Sequence, residues 1–80
     1  MENLTIILKM LNNYIGMEQE DVEEFLEEKL ENINNIIDIS VKERVFVSTN
    51  FQIRLEYENL DPLDDYNNHL ILKEFKIEDI

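Results

Sequence analysis

After Asn34 and Asn35 the spacing of apolar side chains changes from a helical period to a period of two, and this switch confines the chain to helices followed by strands. In residues 4–15, Leu4, Ile7, Leu8, Leu11 and Ile15 form one helical stripe and Ile6, Met10 and Tyr14 a second beside it. Together they cover about 200° of arc, more than one buried face requires. Gly16, the sole glycine, is placed to end this helix in the left-handed conformation. A second helix is expected over residues 18–33, with Val22, Phe25, Leu26, Leu30 and Ile33 as its seam.

Beyond the switch, Ile37, Ile39 and Val41 alternate with Asp38 and Ser40. Val45 and Val47 follow a polar turn at Lys42, Glu43 and Arg44, and Phe51, Ile53, Leu55 and Tyr57 alternate with Gln52, Arg54, Glu56 and Glu58. These are three short antiparallel strands, with Ser48, Thr49 and Asn50 as a tight hairpin between the second and third. Residues 60–68, which hold the only proline, form a surface loop. A fourth strand is expected over residues 69–76. Leu70 and Leu72 are even but Phe75 and Ile77 odd, so it needs a bulge or register switch near Lys73 and Glu74. The expected fold class is α+β, a single domain over residues 1–80, with two N-terminal helices packed on one face of a three- to four-stranded antiparallel meander sheet. The wide apolar arc of helix 1 packs on the sheet and on helix 2, or on a second copy as a homodimer.

The chain has 80 residues and no cysteine, so neither a disulfide framework nor a thiolate metal site is available. Its apolar residues are large, with eleven Ile, ten Leu and four Phe but no Ala, which favours a folded core over disorder. The start of the chain lacks a cationic segment, and Lys9 interrupts its apolar run, so neither a signal peptide nor a spanning helix is expected and the location is cytoplasmic.

The formal net charge is −12, and residues 18–31 alone contribute −7, from Glu18, Glu20, Asp21, Glu23, Glu24, Glu27, Glu28 and Glu31 against Lys29. On a helical wheel Glu20, Glu23, Glu24, Glu27, Glu28 and Glu31 lie opposite the seam. Glutamate is a good helix former and keeps small proteins soluble, which is the ordinary meaning of such a face. Here, however, Glu20 with Glu24, Glu23 with Glu27, Glu24 with Glu28 and Glu27 with Glu31 are like-charge pairs four apart, each unfavourable by about 0.2–0.5 kcal/mol. Fourteen residues rise about 20 Å. Eight carboxylates over that length give one charge per about 2.5 Å, between the roughly 1.7 Å of duplex DNA and 3.4 Å of one strand.

This charge excludes direct binding to nucleic acid or to an anionic membrane and favours a basic protein partner. The expected function is a non-enzymatic inhibitor or binding protein whose negative helix docks on the basic, nucleic-acid-binding surface of a nuclease or similar protein. The residues expected to make contact are Glu20, Glu24, Glu27, Glu28 and Glu31. Asp61, Asp64, Asp65 and Tyr66 form a second set, extended by Glu56 and Glu58 if the loop lies beside helix 2. In composition and charge alone the chain resembles small acidic phage-encoded inhibitors of restriction, repair or CRISPR nucleases, and equally the immunity proteins and antitoxins of basic nucleases. The rival expectation is an oligomeric structural or adaptor protein working through the apolar face of helix 1.

No catalytic residues, cofactor or metal are expected. The chain has one histidine, His69, two serines, Ser40 and Ser48, and no thiol. Asp61, Asp64 and Asp65 lack the alternation and central glycine of a calcium loop. Tyr14 and Tyr57 are expected in the core, and Tyr66 exposed as an interface anchor.

Overall fold

The structure is a computed structural model that describes residues 4–30, 32–61, 63 and 69–79. Two helices, α1 (Leu4–Asn12) and α2 (Gln19–Lys29), precede four strands, β1 (Asn35–Ser40), β2 (Glu43–Val47), β3 (Phe51–Asn59) and β4 (Leu70–Asp79). The strands form one antiparallel meander in the order β1-β2-β3-β4, giving the α+β layout that the change of period predicts. Among the described residues no helix is long and apolar enough to cross a membrane.

One core lies between the helices and the sheet. Ile7 and Leu11 of α1, and Val22, Phe25 and Leu26 of α2 with the following Leu30, pack with Phe46, Phe51, Ile53, Leu55, Tyr57, Leu70 and Leu72. The inward series of β3 is the alternation read from sequence. On β4 the face changes where expected: Glu56 pairs with Glu74 and Tyr57 with Leu72, leaving Lys73 as the extra residue of a bulge. The bulge lets both the even leucines and Phe75 and Ile77 meet the same core.

Both helices stop short of their expected ends. After α1 the chain turns through residues 13–17, with the Tyr14 N–H on the Leu11 carbonyl at 2.9 Å and Gly16 at φ 91°. Gly16 and Met17 then run beside β4: the Gly16 N–H donates to the Leu72 carbonyl at 2.8 Å, the Leu72 N–H to the Met17 carbonyl at 2.9 Å, and Glu18 bridges antiparallel to Ile71. The linker thereby covers the start of the β4 edge. In α2, Leu30 caps the helix in an extended conformation although still buried, and Ile33 packs on the core from non-helical backbone. The Asn-rich segment that follows favours leaving the helix, and the Asn34 N–H joins the Val47 carbonyl at 2.8 Å.

One expectation for the sheet is corrected, and the faces of its first two strands are assigned. Glu43 and Arg44 belong to β2 rather than to a turn, which lies at Val41 and Lys42. The core residue of β2 is Phe46, opposite Ile53, whereas Val45 lies on the other face between Ile37 and Arg54. Finally, all six residues of β1 are exposed, so Ile37, Ile39 and Val41 are not an inward series. Among the described residues the helices cover β2, β3 and β4, and no layer reaches β1.

Space is open where a Gly16 side chain would point, with no atom within 4 Å, so only backbone strain opposes a replacement there. Gly16→Ala is expected to destabilise by about 1–2 kcal/mol, the cost of a left-handed alanine, and chemical denaturation with an unchanged m-value checks it.

Candidate functional site

The exposed side of α2 is built by elimination. Val22, Phe25 and Leu26 are buried, which turns Glu20, Asp21, Glu24, Glu27 and Glu28 to solvent. Glu20 and Asp21 sit in the first turn, where the helix dipole favours anions, and Lys29 in the last, where it favours cations. Past those ends nothing on the helix compensates the acids.

Glu23 is the exception within the acidic run. Its side chain is only 13% exposed and points at the sheet, where Oε1 pairs with Arg44 Nη1. Its Oε2 accepts from the Tyr57 hydroxyl and from Gln19 Nε2, each at 2.9 Å. Arg44, with its side chain 29% exposed, shares the core-facing side of β2 with Phe46, and its Nε also reaches Asp38 Oδ1 at 2.6 Å. Burial, reinforced by the Glu23 carboxylate, pushes the Tyr57 hydroxyl well above the ordinary range, so it remains a donor. Sequence reading places Glu23 with the free acids. The available signal was its position on the wheel, only about 20° beyond Leu30 at the rim of the seam.

The chain's other arginine works on the opposite sheet face. Arg54 Nη1 pairs with Glu43 on β2 and Nε with Glu78 Oε1 on β4 at 2.8 Å, while Gln52 donates to Glu78 Oε2 at 3.2 Å. Arg54 and Gln52 hold the Glu78 carboxyl below its usual range. Thus both arginines clamp carboxylates in pairs, and among the described residues no ion pair reaches Glu20, Asp21, Glu24, Glu27 or Glu28.

Beside this acidic ridge runs an open groove of about 330 Å³ lined by Tyr14, Met17, Asp21, Glu24, Phe25 and Glu28. Tyr14 stacks on Phe25 with ring centroids 4.5 Å apart. Tyr14 is half-buried at the groove, whereas Tyr57 is buried in the core. Asp21, Glu24 and Glu28 line one wall at helical spacing above an aromatic and thioether floor, a combination that suits a lysine or arginine side chain. Asp21 was not among the expected contact residues.

The second acidic set is divided. Glu56 and Glu58 alternate with the core-facing residues of β3 and therefore lie on the sheet face away from α2. Asp61 is exposed and turns its own loop, its Oδ1 accepting the Leu63 N–H at 3.0 Å. Glu31, Asp64, Asp65 and Tyr66 lie outside the described residues. Glu20, Glu24, Glu27 and Glu28 share the exposed side of α2, without Glu56 or Glu58 beside them.

No protein-family model, no curated protein and no solved structure matches the chain.

Two outcomes follow from this electrostatic arrangement. Glu23→Gln is expected to cost about 2 kcal/mol, within the range of hydrogen bonds to charged groups, and a double-mutant cycle with Arg44→Ala should give coupling of about 1–2 kcal/mol. Separately, a hydrogen bond with Glu74, then partial desolvation and the Glu74 charge, raises the Glu56 carboxyl above its ordinary 4.5. A raised acid binds its proton more tightly in the folded state, so its stabilisation is present at low pH and is lost as pH rises through the folded value. Glu56→Gln should therefore be more stable than the parent at neutral pH and lose that advantage on acidification, as thermal melts across a pH series would show.

Proposed function

We propose that this protein is a non-enzymatic cytoplasmic inhibitor that places the α2 ridge in the basic, nucleic-acid-binding surface of a protein partner and competes with the natural polyanion there. The carrying observation is that Glu20, Asp21, Glu24, Glu27 and Glu28 are all exposed and unpaired among the described residues, although the same chain pairs Asp38, Glu43 and Glu78 of its sheet with arginine. From Glu20 to Glu28 the helix rises about 12 Å. Five carboxylates over that distance give about one charge per 2.4 Å, again between duplex and single-strand phosphate spacing. The groove of Tyr14, Met17 and Phe25 beside the ridge adds a place for the stem of a cationic side chain, so recognition does not rest on bulk charge alone.

The partner is a nuclease or another protein with a nucleic-acid groove. An anti-restriction or anti-CRISPR protein of phage type and the immunity protein or antitoxin of a basic nuclease perform this same physical act, a negative face closing a positive one. In all these cases the protein needs no cofactor and makes no contact with nucleic acid itself. An adaptor role through helix 1 has the exposed Ile6 and Met10, followed by the exposed Ile15 and Met17, in its favour.

The test is capture of partners at low ionic strength followed by competition with duplex DNA for the captured protein. Glu24→Lys, Glu27→Lys and Glu28→Lys together should keep the fold, since they relieve like-charge repulsion, while weakening binding by about tenfold or more per reversed charge. Affinity should also fall steeply as salt rises. Binding that ignores both the reversal and the salt, or that leaves DNA bound to the partner, would overturn the proposal.

A further inference from the structure

The two edges of the sheet are treated differently. The β4 edge is covered at Ile71 and Leu72 by the 16–18 linker and further along carries Lys73, Glu74, Lys76 and Glu78. Among the described residues the β1 edge has no such cover. Ile36 is 37% exposed, Ile37 42%, Ile39 50% and the adjoining Val41 59%. The Ile36 N–H, with no strand beyond it, donates to the side chain of Asn35 at 2.9 Å. Edge strands are ordinarily guarded by lysine, proline or inward charge. Residues 32–41 contain neither lysine nor proline; their one charge, Asp38, lies on the helix side, where Arg44 neutralises it, and a single irregularity at Ile39 interrupts the ladder.

We infer that β1 is a self-association edge, pairing antiparallel with β1 of a second copy to join two four-stranded sheets into one of eight. Charge selects the occupant. A basic partner is drawn to the α2 ridge and gains nothing from a neutral strand, whereas two chains of net charge −12 repel over their acidic surfaces and meet less resistance along a locally neutral edge such as this one. The apolar side chains also stand on both faces of β1: Ile36 shares the helix side with Phe46, and Ile37 the opposite side with Val45. A second strand of the same composition covers both. A two-fold axis through Ile37 sets the two Ile37 side chains together and places each Asp38 beside Ile36, whereas an axis through Asp38 would oppose two carboxylates. The regular ladder of β1 runs from Asn35 to Asp38 before its irregularity, a short edge at the small end of specific interfaces, so association is weak.

The absence of cysteine makes the test clean. Paired antiparallel residues have Cα atoms about 4.5–5.5 Å apart, inside the span of a disulfide, so Ile37→Cys should oxidise to a covalent dimer under native conditions while Met10→Cys on α1 should not. In light scattering the parent should rise from 9.6 kDa towards twice that mass with concentration, and more readily at high salt, which screens the repulsion. That salt dependence is opposite in sign to the one expected for partner binding. Ile37→Lys should hold the mass at the monomer value with unchanged circular dichroism. If that variant does not fold, the conservative Ile37→Cys still decides the matter. A parent that stays monomeric at high micromolar concentration, a dimer indifferent to Ile37→Lys, or cross-linking through Met10→Cys in place of Ile37→Cys would overturn the inference.

Discussion

The junction of Glu23, Arg44 and Tyr57 carries side-chain polar chemistry from the helix layer to the sheet. A carboxylate on α2 accepts from the hydroxyl of β3 and pairs with the guanidinium of β2, which in turn holds Asp38 on β1. Apolar packing of α2 is tolerant of sliding, because leucine and valine contacts are non-directional. A carboxylate with three donors fixes the helix against particular residues of two strands. The network also extends order from the covered strands to β1, which has no hydrophobic cover of its own.

Charge is distributed by a similar logic. With two arginines against nineteen acids, the molecule can clamp only a few carboxylates tightly, and it clamps those where two strands or two layers meet. Arg54 bridges β2 and β4 across β3, and Arg44 bridges α2 and β1 across β2. The acids of α2 that touch no other element are left to solvent. Their mutual repulsion is a modest cost per pair, but it is borne by a small domain with little stability in reserve. Among the described residues the ridge and the groove beside it thus form a surface whose acids have no internal cation.

Much of this fold was legible because it rests on periodicity. The switch at Asn34 and Asn35 separated helices from strands, the parity break between Leu72 and Phe75 located the Lys73 bulge, and the only glycine marked the left-handed turn. What sequence could not supply was tertiary context. The alternation of β1 is indistinguishable from that of a strand with a buried face, yet the helices do not extend over it. In the same way Val45 and Val47 look like the inward pair of β2, and only the pairing of Phe46 with Ile53 shows which face meets the helices. In the acidic run, composition makes every glutamate alike. The location of Arg44, twenty-one residues away in sequence, separates Glu23 from its neighbours.

The linker that lies along β4 carries a consequence for growth. Sheets that expose two competent edges can add subunits without limit, and filaments are the usual result. Here the backbone of Gly16 and Met17 occupies the positions at Leu72 that an incoming strand would need, and a bulge with four charged side chains disfavours the remainder. Any assembly begun at one margin therefore closes on itself after a single step, and a short turn between two helices serves as the terminator of a polymer that never starts.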